Sequence, residues 1–162
     1  MKLLWAPWRH EYVKKAVREE GCFFCVLAGK EEGLDSLILA KGKYCFTVMN
    51  KYPYNPGHLL IAPYKHTDSI DELDPQTWEE IRMMLIKCIK SLNSTLRPDG
   101  FNIGINVGRA AGAGVIGHIH LHVVPRWNGD TNFMPILADT KVISASIASI
   151  YKLLSGKMRG KR

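Results

Sequence analysis

Histidine recurs at every second position in His118-Ile119-His120-Leu121-His122-Val123-Val124, and this short pattern constrains the chain more than any other stretch. A β-strand projects alternate side chains to opposite faces. The spacing therefore puts His118, His120 and His122 on one face and Ile119, Leu121 and Val123 on the core side. Half of the six histidines share that face. An ordinary half-buried strand alternates in the same way, but its polar face favours Thr, Lys, Glu or Arg. Neutral imidazole, with a reference pKa of about 6.5, is the usual choice for proton transfer, nucleophilic attack and metal binding. The stretch predicts a strand and a reactive site together.

Other strands are expected around it. Leu37-Ile38-Leu39-Ala40 and Tyr44-Cys45-Phe46-Thr47-Val48-Met49 read as a hairpin about Lys41-Gly42-Lys43. Tyr52-Pro53-Tyr54-Asn55-Pro56-Gly57 reads as loop by its prolines and glycine, and His58-Leu59-Leu60-Ile61-Ala62 as a strand stopped by Pro63. Phe101-Asn102-Ile103-Gly104-Ile105-Asn106 is a further strand. Asp74 and Pro75 open a helix whose Trp78, Ile81, Leu85, Cys88, Ile89 and Leu92 recur at helical spacing, with Glu79 and Glu80 expected to meet the dipole. A last helix, about residues 140–154, presents Ile143, Ile147, Ile150, Tyr151 and Leu154 on one face. Strands joined by short turns, with helices set apart, predict an α+β fold with an antiparallel sheet.

The 162 residues, 46% of them hydrophobic, suit one domain with a sizeable core. No repeat or long Pro/Gly/Ser linker divides them. A domain over residues 1–155 and a basic tail over 156–162 are expected, with Lys157, Arg159, Lys161 and Arg162 at a frayed, solvated end. The apolar run near the N-terminus is too short for a signal peptide and no window resembles a membrane span, so a cytoplasmic location is expected. The net charge of +7 favours polyanionic partners such as nucleotides, nucleic acid or acidic lipid. The basic residues are dispersed and lack aromatic interleaving, which argues against nucleic acid. His10, between Arg9 and Glu11, reads as surface.

Cys22-Phe23-Phe24-Cys25 admits three readings: a zinc knuckle, a redox dithiol, or two unrelated core thiols. A thioredoxin-type dithiol opens a helix after a buried strand, whereas Glu19, Glu20 and Gly21 precede this pair. Zinc needs about four N/S ligands, and His66 and His118 can supply the second pair if residues 58–62 lie near the histidine strand. Gly108-Arg109-Ala110-Ala111-Gly112-Ala113-Gly114 lacks the spacing and lysine of a P-loop. It is either a plain turn or an anion-binding nest, and its place before the histidines favours the nest. Asn106, ending the preceding strand, can donate its amide to the same anion.

The histidine pattern, Gly57-His58-Leu59-Leu60-Ile61 and the upstream Cys-x-x-Cys together resemble the histidine triad superfamily of nucleotide hydrolases and transferases. Four further segments are similar to the branch of bacterial diadenosine tetraphosphate phosphorylases, also termed ATP adenylyltransferases. They are Leu4-Trp5-Ala6-Pro7-Trp8-Arg9, Asn50-Lys51-Tyr52-Pro53-Tyr54-Asn55-Pro56-Gly57-His58, Phe101-Asn102-Ile103-Gly104, and Val124-Pro125-Arg126-Trp127-Asn128-Gly129-Asp130-Thr131-Asn132-Phe133. The likeness spans residues 4 to about 150.

That resemblance implies a five-stranded antiparallel sheet with two main helices, and a homodimer. It implies His120 as the nucleophile forming a nucleotidyl-histidine, His122 serving the phosphate or the leaving group, and His58 lining the pocket. Asn106 with Gly112, Ala113 and Gly114 would hold the phosphate oxygens, and Asn50 the ribose hydroxyls. A structural zinc on Cys22, Cys25, His66 and His118 is implied in the same way. The expected reaction is phosphorolysis of a dinucleoside polyphosphate, with inorganic phosphate as acceptor. Hydrolysis of such a substrate or of a nucleoside phosphoramidate is the nearest alternative, and a non-catalytic nucleotide-binding module is one of another class. A nucleic-acid processing enzyme is disfavoured, because there is no length for a separate binding module. Many superfamily hydrolases carry Gln at position 106 and Gln-Ser or Gln-Thr at 114 and 115. The shorter Asn106 and Gly114-Val115 here leave room that suits an incoming phosphate.

Overall fold

A computed structural model of the chain describes residues 21–130 and 146–158. The expectations for Leu4 to Arg9, His10, residues 131–145 and residues 159–162 lie outside them.

Five strands, β1 (Ile38–Lys41), β2 (Cys45–Met49), β3 (Leu59–Pro63), β4 (Gly100–Ile105) and β5 (Leu121–Arg126), form one sheet. Their order is β1-β2-β3-β5-β4, and every pairing is antiparallel. The predicted α+β architecture is the observed one. Among the described residues three helices accompany the sheet: α1 (Phe23–Ala28), α2 (Pro75–Leu96) and α3 (Ile147–Met158).

Helix α2 starts where Asp74 and Pro75 predict. Asp74 accepts from the Thr77 amide at 2.8 Å and from the Thr77 hydroxyl at 2.9 Å, a cap worth about 1 kcal/mol. It ends at Arg97, whose φ of +47° leaves the helix just before Pro98. The role expected of Glu79 and Glu80 is corrected. Both lie beyond the first turn; Glu79 pairs with Arg82, and Glu80 serves another element. The Glu80 carboxylate accepts from the amides of Lys43, Tyr44 and Cys45 at 2.8, 2.5 and 2.8 Å, tying the β1–β2 turn to α2.

β3 is the central strand, paired at both edges by β2 and β5 and covered on both faces by packed side chains, so it reads as a continuous apolar run. Leu59 and Ile61 join Ile81, Cys88, Leu92, Ile150 and Leu154 in the core under α2 and α3. Leu60 and Ala62 face the other way and pack with Phe24, Phe46 and Val48 beneath α1. Helix α3 continues to the fully buried Met158, so residues 156–158 are ordered helix rather than the start of a frayed tail.

The histidine strand is shorter than expected. β5 begins at Leu121, leaving His118 and His120 in the irregular chain before it. The β3–β5 ladder stops after Ile61 pairs with Leu121, since Pro63 at the end of β3 has no N–H to extend it. The Ile119 amide turns instead to the Thr67 carbonyl, at 2.6 Å. Alternation survives nonetheless: Ile119, Leu121 and Val123 enter the α2/α3 core, and the histidines face the opposite side.

Candidate active site and metal centre

Phe24 of α1 carries two of the histidines. Its ring, fully buried, lies 5.1 Å from the His118 ring and 4.7 Å from the His120 ring, centroid to centroid. His118 and His120 are 2% and 5% exposed, so this histidine face is a second core rather than a solvent face.

Backbone carbonyls decide which nitrogen of each ring is protonated, because a carbonyl can only accept. His120 Nδ1 donates to the His118 carbonyl at 2.9 Å, which leaves the lone pair on Nε2. Burial lowers the pKa of His120, with that carbonyl opposing it, so the ring is neutral near pH 7. A neutral imidazole with an oriented bare nitrogen is a nucleophile.

A second chain of bonds fixes His122. The Tyr54 amide donates to His58 Nδ1 at 3.2 Å, so His58 carries its proton on Nε2. That N–H points at His122 Nδ1, 3.0 Å away, and His122 therefore carries its own proton on Nε2. Asn50 also approaches His58 Nδ1 with its amide nitrogen, at 3.3 Å, while its Oδ1 accepts from the Tyr52 amide at 2.9 Å. Tyr54 stacks on His58 at 4.8 Å and 23°. His120 and His122 are 4.8 Å apart, so a bare nitrogen and a proton donor stand side by side.

Asn106 lines a cleft with His122 and leads into the glycine-rich loop. The loop makes a single 3-10 turn over Arg109–Ala111, and Asn106 reaches the Gly112 carbonyl at a long 3.4 Å. A cleft of about 420 Å³ opens beside His122, with Asn106, Tyr54, Asn102 and Arg126 among its walls.

The remaining predicted residues converge elsewhere. Cys22 immediately precedes the short helix α1, which the sequence does not predict, and makes no side-chain capping bond; Cys25 lies in the first turn. One ligand atom from each of Cys22, Cys25, His66 and His118 falls within 4.8 Å of the others. The Sγ to Nδ1 separations are 3.2 Å for Cys22–His118, 3.4 Å for Cys25–His66 and 3.7 Å for Cys25–His118. Zinc bonds of about 2.3 Å to sulfur and about 2.0 Å to nitrogen at the tetrahedral angle put such atoms roughly 3.5 Å apart, so the set fits. His118 is also prepared for a metal. Its Nε2 donates to the Pro63 carbonyl at 2.9 Å, which leaves Nδ1 bare toward the cysteines and supplies the outer hydrogen bond that metal-bound histidines need. Burial and the adjacent Cys22 thiol push the Cys25 pKa up, a crowding that a cation relieves.

The HIT domain family matches residues 31–129, well over half of the chain. The chain belongs to this family. Among HIT relatives, the AP-4-A phosphorylase of Mycobacterium tuberculosis is 36% identical, over 96% of this chain and 83% of that protein. An uncharacterized HIT-like protein of Saccharolobus solfataricus is 29% identical, over 70% of this chain and 79% of its own length. Among solved structures, a Zn-bound histidine triad protein of Mycobacterium smegmatis superposes with a TM-score of 0.67 at 26% identity. It covers 86% of this chain and 94% of its own.

Within this HIT fold the sequence reading missed a polar network. Asp130 accepts from Arg126 Nε at 2.6 Å, Arg126 Nη2 at 2.9 Å, Asn55 Nδ2 at 2.8 Å and the Trp127 amide at 3.2 Å. Asn55, 4% exposed, also donates to the Pro125 carbonyl at 2.9 Å. The network pins the loop that carries Tyr54 and His58. Residues 55 and 126–130 stood inside segments with recognisable motifs, but only their contacts reveal a task.

Proposed function

We propose that this HIT protein cleaves dinucleoside polyphosphates of the diadenosine tetraphosphate kind by phosphorolysis through a nucleotidyl-His120 intermediate. The observation that carries the reading is the pair of opposite tautomers, a bare Nε2 on His120 beside a protonated Nε2 on His122. His120 Nε2 attacks the α-phosphorus as the bond to the bridging oxygen breaks. His122 Nε2–H gives its proton to that departing oxygen. An oxygen of inorganic phosphate then attacks the same phosphorus, the P–N bond breaks, and the phosphate's proton returns to His122. One nucleoside triphosphate and one diphosphate result from the tetraphosphate. Asn106 with the Gly112, Ala113 and Gly114 backbone would hold the equatorial oxygens, and Asn50 the ribose.

The likeness to an enzyme named AP-4-A phosphorylase supports phosphate as acceptor. Zinc on Cys22, Cys25, His66 and His118 would be structural, since four protein ligands leave no position for substrate. It would clamp α1 and Phe24 against the histidines. We also propose a homodimer, supported by the edge strand β4 with its half-exposed Ile103, and a cytoplasmic location, where thiols stay reduced. The test is diadenosine tetraphosphate with and without inorganic phosphate, with products resolved. ADP and ATP formation that requires phosphate is expected; AMP release indifferent to phosphate means hydrolysis instead.

A further inference from the structure

Beyond His122 the cleft continues along the β4–β5 edge toward Arg126. Gly104 pairs with His122 and Asn102 with Val124, and Arg126 follows two residues later on the same face of β5. Gly104 leaves the floor open beside His122, since a Cβ there would meet nothing within 4 Å. Arg126 closes the far end, its side chain 45% exposed.

The acceptor atoms at this end are used internally. Asp130 takes Nε and Nη2 of Arg126, and Asn102 Oδ1 takes Nη1 at 2.5 Å. Of the five guanidinium N–H groups, three are thereby held in fixed directions. Two remain for a ligand among the described residues, with the Asn102 amide beside them. The wall thus presents guanidinium N–H donors oriented by Asp130, whose carboxylate lines the same cleft, and such directed donors select the oxygens of an extended polyanion. Arg126 stands four residue steps along β5 from His122, about 13 Å of strand. A single phosphate bound at His122 does not reach that far, whereas a chain of several does.

Resting on the reaction proposed above, we infer that the groove from Gly104 to Arg126 is the subsite for the departing polyphosphate, and that Arg126 with Asn102 makes the enzyme select long leaving groups. Arg126 is a specificity residue here, and Asp130 positions it.

Two measurements on the full-length protein test this. The first compares kcat/KM for diadenosine tetraphosphate with that for adenosine 5′-phosphoramidate, which shares the adenylyl half but has a minimal leaving group. Arg126→Ala should lower the tetraphosphate-to-phosphoramidate ratio by about ten- to hundred-fold, the range expected for a charge-assisted contact. Gly104→Leu, which fills the groove without touching Arg126, should lower the same ratio. The second titrates inorganic tripolyphosphate by calorimetry, with binding to wild type and at least ten-fold weaker binding to Arg126→Ala. Equal loss on both substrates would make Arg126 only part of the Asp130 latch, and equal tripolyphosphate affinity, or none in wild type, overturns the subsite. Should wild type cleave no dinucleoside polyphosphate, the proposed reaction fails while the titration still decides the groove.

Discussion

Gly57, immediately before His58, offers a strict check on how the site is built. Its φ is +79°, where an alanine costs about 1–2 kcal/mol. A Cβ at this position would also stand 2.6 Å from Leu96 Cδ1 and 2.9 Å from Leu92 Cδ2. Overpacking of that kind costs about 1–3 kcal/mol, partly offset by roughly 0.4–1 kcal/mol from a stiffer unfolded chain. Gly57→Ala should therefore destabilise by about 2–4 kcal/mol, read as a lower urea midpoint with an unchanged slope. Any relaxation moves His58 relative to His122, so kcat should fall more than KM changes. Adding Leu96→Ala removes the nearer clash, and the double mutant should lose less than the two single losses combined. A loss below about 1 kcal/mol, or simple additivity with Leu96→Ala, would refute the argument.

Protein purified without chelator should contain one zinc per chain by elemental analysis. His118→Ala should lose the metal and melt at lower temperature, whereas His120→Ala should keep both and lose turnover; a zinc-free wild type sinks the metal assignment. Asp130 supplies a pH dependence. The Arg126 hydrogen bonds, aided by the Trp127 amide and Asn55, hold its carboxyl well below the usual range. Its contribution is thus fully present above the unfolded pKa of about 3.9 and lost as pH falls toward the folded value. Asp130→Asn should be less stable than wild type near pH 6, and the gap in unfolding free energy should narrow toward pH 3. A gap that stays constant contradicts that account.

Local patterns in the chain revealed much of this. Asp74-Pro75 marked the start of α2 to the residue, because a cap and a fixed φ act within one turn. The alternation through Ile119, Leu121 and Val123 identified the core-facing side chains even where the strand had not begun. Helix α1 escaped notice because six residues carry too little periodicity. Glu80 was misread for a related reason, since its partners lie 35 to 37 positions away on the β1–β2 turn.

By itself the sequence determined which side chains share a face and which residue types could react, since both follow from backbone period and side-chain chemistry. Only the tertiary structure decided what each histidine is. Three rings on one face are equivalent by spacing. They become a candidate metal ligand, a candidate nucleophile and a candidate proton donor because the Pro63 carbonyl leaves His118 Nδ1 bare beside the cysteines, the His118 carbonyl leaves His120 Nε2 bare, and His58 leaves His122 its proton on Nε2. Pro63 and His58 come from segments 55 and 64 positions away, and even the local His118 carbonyl acts through the conformation of its backbone, because a tautomer is set by the atom it meets in space.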